Sequence, residues 1–177
     1  MRNLTGYNSA HTVSSPSPLR FKIADDPAEF EQIFQLGYDT FVEEIPQHTP
    51  NGDRRHVDRF HEENTYIVAR QGDDVVGMIA LRGERPFSLD QKLDHLDEFL
   101  PTGRRVCELR LLAVRPEYRR GLVFKGLVDG LVREGRHRGY DLAIISGTTR
   151  QEKLYRHLGF VPFGPRVGTD EAPFQPM

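Results

Sequence analysis

The residues best suited to chemistry lie between Cys107 and Val123, in CELRLLAVRPEYRRGLV. The stretch reads as a buried strand, a turn, and a basic-glycine loop that opens a helix. That order places unpaired backbone N–H groups and positive charge where a phosphate can sit. Gly121 lets an anion approach the backbone, and Arg119 and Arg120 offer charge-assisted hydrogen bonds. An ordinary strand-to-helix turn with surface arginines fits the same residues. Glu108 and Arg110 have the same parity and so share one face of the strand. A carboxylate there takes a proton from an amine, directly or through water, or it simply pairs with Arg110. Tyr155, in LYRHLGF, stands one turn before the Gly-Phe that closes a helix. Its phenol either protonates a leaving thiolate or packs on the sheet.

Other reactive side chains carry less. Cys107 is the one cysteine and has no His in a recognisable partner position, so it reads as a buried strand thiol. His56 and His61, in RHVDRFHEEN, are five apart, lack metal-ligand spacing and read as loop histidines. No zinc or calcium pattern occurs and no metal is expected. The GxxxxGK[ST], GxGxxG and GxSxG patterns are absent.

The elements that must hold these groups alternate along the chain. Leu19 to Ile23 is a short strand. Asp25 or Asp26 caps a helix with Pro27 in its first turn, and Phe30, Ile33, Phe34, Gly37, Tyr38 and Phe41 recur on one face. A polar loop, Pro46 to Glu63, leads to TYIVAR and VVGMIALR, joined by QGDD as a hairpin. The connection from Gly83 to Arg104 is too long for a bare loop, and its leucines predict a short helix. A central strand, about Val106 to Val114, precedes a helix starting near Gly121. One face of that helix holds Val123, Phe124, Leu127, Val128, Leu131 and Val132. Gly126 and Gly130, one turn apart, allow a neighbour close. A strand over Asp141 to Ser146, a helix over Arg150 to Leu158 and a strand over Phe160 to Phe163 follow. The pattern is an α/β sandwich with a mixed sheet.

Size and charge set outer limits. The 177 residues suit one domain over residues 19–177, after a polar, Ser/Pro-rich N-terminal tail over residues 1–18. The formal net charge of −2 gives no global field for nucleic acid, so the arginine runs read as local. No apolar run approaches a membrane span, residues 1–18 lack the apolar stretch expected of a signal peptide, and a single cysteine allows no intrachain disulfide. The expected location is cytoplasmic. EAPFQPM begins an apolar segment and stops, which predicts a chain lacking its last strand, or one continued by a further domain or completed by a partner.

LRLLAVRPEYRRG and LYRHLGF, in this order and spacing, resemble the strand, pyrophosphate loop and Gly-Phe helix of the GNAT superfamily of N-acyltransferases. The likeness runs from about Leu19 to Phe163. It implies a three-layer sandwich whose mixed central sheet splays open around an acyl thioester. Acetyl-CoA or another acyl-CoA is the implied co-substrate. Its pantetheine would lie along Leu112, Ala113 and Val114, and its pyrophosphate on Arg119, Arg120, Gly121, Leu122 and Val123. The acceptor, a small-molecule or peptide amine, would attack the thioester directly. Tyr155 matches the family's general acid, and Glu108 its base or water-holding carboxylate. Two departures stand out. YRRGLVF is one residue shorter than the usual loop, with Val123 in place of a second glycine or alanine. Thr148 also stands near the place of the usual asparagine. The front half, in GYDTFVEEI, DRFHEENTYIVAR and VVGMIALRGERPFSLDQKLDHL, is similar to the acyl-homoserine-lactone and N-acyl-amino-acid synthase branch. That branch implies long acyl chains and acyl carrier protein as donor, with Leu89 to Leu100 covering the chain. The leading expectation is an acetyltransferase. Its alternatives are a long-chain acyl synthase and a non-catalytic sensor or regulatory module. A homodimer stays open.

Overall fold

The computed structural model describes residues 17–119, 121–170 and 172–177, so most of the expected tail lies outside the described residues. Five strands form one sheet in the order β1-β2-β3-β4-β5: β1 (Leu19–Ile23), β2 (Asn64–Gln71), β3 (Asp74–Arg82), β4 (Val106–Val114) and β5 (Leu142–Ile144). The first three pairings are antiparallel and β4–β5 is parallel. A smaller sheet, in the order β6-β8-β7, joins β6 (Ser146–Thr148), β7 (Val167–Gly168) and β8 (Pro173–Pro176).

One helix covers each face of the larger sheet, which gives the three expected layers. Helix α1 (Pro27–Tyr38) starts at Asp26, whose carboxylate accepts from the Ala28 N–H at 2.9 Å. Glu29 reaches back to the Asp26 N–H, closing a capping box. The buried Glu29 carboxylate also meets Lys22 of β1 and Arg70 of β2 at 3.0 and 2.9 Å, which fixes the helix start against the sheet. Ile33, Phe34 and Leu36 then pack on Tyr66, Val68, Met78 and Ala80. The helix continues as a π-helical turn over Asp39–Glu44. On the other face, α2 (Leu122–His137) lays Val123, Leu127 and Leu131 on Ile67, Val76, Ile79 and Leu81. Gly126 makes this approach possible. A Cβ there would stand 2.1 Å from the Phe21 ring.

Three sequence expectations need correction. The run from Asp141 to Ser146 is not one strand: it divides at Ile145 into β5 and β6, which belong to different sheets. The connection from Gly83 to Arg104 holds two 3-10 turns, Leu89–Gln91 and Leu96–Glu98, in place of a helix. Its Leu89, Leu93 and Leu96 pack with Phe87 and Ile144 in the core, and Lys92 of the same segment lines the cleft described below. Phe160 to Phe163 runs beside β8 without forming a strand. Pro162 has no N–H to give to a ladder. The C-terminal apolar segment forms β8, which pairs with β6 and β7. The last short helix is α3 (Glu152–His157).

Candidate active site

The site grows from the way β4 meets β5. Only Val106, Cys107 and Glu108 pair with β5. Beyond that point the strands part, and Leu109 to Val114 have no strand partner on that side. A bulge falls in the same stretch. The β3–β4 register shifts between Met78 and Ala80, and Leu111 takes a φ of 54°. A bulge turns peptide groups out of the ladder and re-aims side chains. Open N–H and C=O groups of β4 therefore line a cleft of about 1440 Å³. Leu112, Ala113 and Val114 lie on this open edge, where pantetheine was expected.

At one end of the cleft stands the start of α2. Gly121 has a φ of 141° and ψ of −140°, a conformation that favours glycine, and the helix begins directly after it. The first-turn N–H groups of Leu122 and Val123 have no intrahelical acceptor. The Val123 side chain turns inward, so close to Gly77 that a Cβ there would lie 2.9 Å away. Only its backbone can therefore meet a ligand, and a small side chain is not required there. Arg119 is already engaged. Its Nε donates to the Val114 carbonyl at 2.9 Å, its Nη1 to Glu44 at 2.7 Å, and its Nη2 to the other Glu44 oxygen. This pairing holds the Glu44 carboxyl below the usual range. Arg120 lies outside the described residues.

The polar centre sits on the α1 side. Glu108 is wholly buried. One carboxylate oxygen accepts from the Ser88 N–H at 2.8 Å and from Arg110 at 3.3 Å, and the other accepts from the Ser88 hydroxyl. Arg110 in turn meets Asp58 at 2.6 Å. Asp58 accepts from the Phe60 N–H and from Asn64, both at 3.0 Å. Arg82 and Arg110 both stack on the Phe60 ring. The expected Glu108–Arg110 neighbourhood on one face is thus present, extended by Ser88 and Asp58. Lys92 donates to Ser146 at 2.9 Å and lies over the Phe174 ring. Burial lowers its pKa, Glu108 opposes this, and Arg110 and Arg59 add to it. His48 and His56 stack nearby, and both line the cleft with Lys92 and Arg110.

Tyr155 lines the cleft from α3, so close to Gly147 that a Cβ there would lie 2.8 Å from its ring. Burial raises its pKa and Thr148 partly offsets this, so the phenol stays protonated at neutral pH. Cys107 is buried, and burial alone pushes its thiol up to about 11, which leaves it a poor nucleophile.

The cleft also has an apolar arm. Phe124, Val128, Leu131, Val132 and Gly135 line it from α2, opposite Leu109 of β4 and Leu142 and Ala143 of β5. At 1.5 Å per residue, the stripe from Phe124 to Gly135 is about 16 Å long. The sequence puts Val123, Phe124, Leu127, Val128, Leu131 and Val132 on one face of α2 without saying what that face meets. Residues three and four apart divide between sheet and cleft, and periodicity cannot separate the two. Ser88, Asp58 and Lys92 were also missed. Asp58 had one signal, the acid- and base-rich loop RHVDRFHEEN, which could not be placed without the fold; Ser88 and Lys92, in the long connection, had none.

A sheet splayed between its fourth and fifth strands, with a helix start at the open edge, defines a GNAT-like acyltransferase. The N-acyl amino acid synthase FeeM family model matches residues 32–174, and the chain belongs to that family. Among solved structures, FeeM, an N-acyl amino acid synthase from uncultured soil microbes, superposes with a TM-score of 0.73. It is 16% identical, over 92% of this chain and 90% of that one. The AHL synthase LasI gives 0.70 at 15% identity, over 90% of each chain. The CoA-dependent acyl-homoserine lactone synthase BjaI, solved with SAM and isopentyl-CoA, gives 0.70 at 24% identity, over 82% and 72%. A search of the curated proteins finds no match. Among the described residues, no helix is long and apolar enough to cross a membrane.

Proposed function

We propose that the chain moves a long acyl group from a thioester to the amino group of an amino acid. The apolar arm of the cleft carries this reading. An acetyl group would leave the stripe from Phe124 to Gly135 unused, whereas a long acyl chain entering at the β4–β5 splay would bury against it. The family's description as N-acyl amino acid synthase supplies the acceptor class. Lys92 and Arg59, at the polar end, suit the acceptor's carboxylate. Pantetheine lies along Leu112, Ala113 and Val114, and Tyr155 protonates the departing thiolate.

The donor's carrier follows from Arg119. Its guanidinium is bound to Glu44 and the Val114 carbonyl. Pyrophosphate of a CoA would have to displace Glu44, which disfavours CoA. Carrier-protein pantetheine asks nothing of Arg119. We therefore favour acyl carrier protein as donor over acyl-CoA.

Thermal melts with acetyl-CoA, a long-chain acyl-CoA and a long-chain acyl carrier protein test both statements. A ligand at 100 times its Kd stabilises by about 2.7 kcal/mol. The expected result is a clear rise in Tm with the long-chain acyl carrier protein, a smaller one with the long-chain acyl-CoA, the least with acetyl-CoA, and amide formation when an amino acid is added. A rise with acetyl-CoA alone would return the chain to the acetyltransferases. Binding of long-chain donors with no turnover on any amino acid would favour the sensor reading.

A further inference from the structure

The transfer needs a group that takes the acceptor's proton, and Glu108 is poorly placed to be that group. It is wholly buried, and Ser88 and Arg110 occupy both of its oxygens. We propose that the imidazole of His56, packed against that of His48, accepts the proton. This rests on the acyl-transfer reading above.

Three observations place the pair. The His56 backbone N–H donates to the Phe34 carbonyl at 3.0 Å, which fixes the residue against the end of α1. Its ring stacks on His48, with centroids 4.3 Å apart and planes 31° apart, and meets the Phe41 ring edge. The Nε2 of His56 is buried and has no hydrogen-bond partner among the described residues. A buried ring nitrogen left without a partner is a group that a ligand would satisfy. Both rings line the cleft that holds the open edge of β4. Two residues after His56, Asp58 binds Arg110, the residue just before the Leu111 bulge. The loop that carries His56 thus borders the face of β4 that bears Glu108 and Arg110.

The charged groups facing the pair are few. Burial depresses both imidazoles. For His56 the partner ring and Arg110 of β4 depress it further, while Asp58 of the loop opposes. For His48, Asp58 opposes and Lys92 of the long connection adds to the depression. Both rings are therefore neutral at neutral pH and free to accept.

The step balances. The amine nitrogen bonds to the thioester carbon and the C–S bond breaks. The proton of the attacking nitrogen goes to His56, Tyr155 gives one to the departing thiolate, and after product release His56 loses its proton to solvent and Tyr155 regains one. Glu108 acts as a positioning residue that holds Arg110.

The test compares the full chain with His56→Asn and His48→Asn in amide formation from a long-chain acyl donor, across pH, with donor-induced Tm shifts as a fold control. For wild type, kcat should fall on the acid side with an apparent pKa below the ordinary imidazole value of about 6.5. His56→Asn should keep its donor-induced Tm shift, lose 10²-fold or more in kcat near neutrality, as expected for a lost general base, and regain rate as pH rises. His48→Asn should lose less. A His56→Asn enzyme with unchanged kcat and pH profile overturns the proposal, as does a rate loss that is uniform across pH. A wild type that binds donor yet forms no amide overturns the acyl-transfer reading itself, and the proposal with it.

Discussion

Gly135 gives the sharpest handle on the apolar arm of the cleft. It lies in the last turn of α2, where it is buried and lines that arm with Leu131, Val132 and Leu142. A Cβ added there would meet Leu81 at 3.6 Å, an ordinary contact. Gly135→Ala is therefore tolerated, and exchange of glycine for alanine within a helix adds up to about 1 kcal/mol of stability. Gly135→Leu would instead project a four-carbon side chain into the space that an acyl tail fills. Each buried methylene is worth about 0.8 kcal/mol, so four displaced carbons remove about 3 kcal/mol of donor binding. That is roughly a hundredfold in kcat/KM, at 1.4 kcal/mol per tenfold. The loss should fall only on donors long enough to reach Gly135. The assay is kcat/KM over a series of acyl donors of increasing length, for wild type, Gly135→Ala and Gly135→Leu. The expected result is a profile for the leucine variant that matches wild type for short donors and breaks downward for long ones. An equal loss at every length, with an unchanged melt, would refute the assignment of this groove to the acyl chain.

Two further outcomes follow from the polar centre. Tyr155→Phe should lower kcat by 10² or more while leaving the donor-induced Tm shift intact, because the acid acts only on the leaving group; the readout is steady-state amide formation beside a melt. Asp58→Ala leaves Arg110, whose side chain is only 11% exposed, with Glu108 as its remaining carboxylate partner. Stranding a buried charge altogether costs about 3–5 kcal/mol, so this partial loss should lower the urea midpoint by less than that full amount.

How far these features could be read before the fold was known depended on whether they were local. The capping box at Asp26 and Glu29 is written in four consecutive residues. The loop before α2 is written in the Arg-Gly that opens it. Glycine at 126 announces a close neighbour, and the Phe21 ring provides it. In contrast, the break at Ile145 depends on β8, which arrives some thirty residues later and takes β6 into a second sheet. Leu89, Leu93 and Leu96 show leucine spacing in either a helix or a pair of 3-10 turns. Only their contact with Ile144 shows that they join the core.

The active site shows the same division more strongly. Glu108 and Arg110 were recognisable because a strand's two-residue period places them together. Their partners come from Ser88 and Asp58, twenty and fifty-two positions away respectively. No local pattern predicts such a pairing. His56 was unremarkable as a loop residue, since its spacing from His61 fits no metal site, and His48 had no sequence signal at all. Their stacking against each other follows from the π-helical turn after α1, which carries the loop back across the cleft. The loop residues that composition marked only as polar thus surround the splayed strand. A splayed sheet can bind a thioester with backbone alone, so the chemistry of the acceptor falls to these loops. Substitutions at Pro46 to Glu63 and around Ser88 to Lys92 should therefore alter acceptor turnover. Donor length, by contrast, should follow α2.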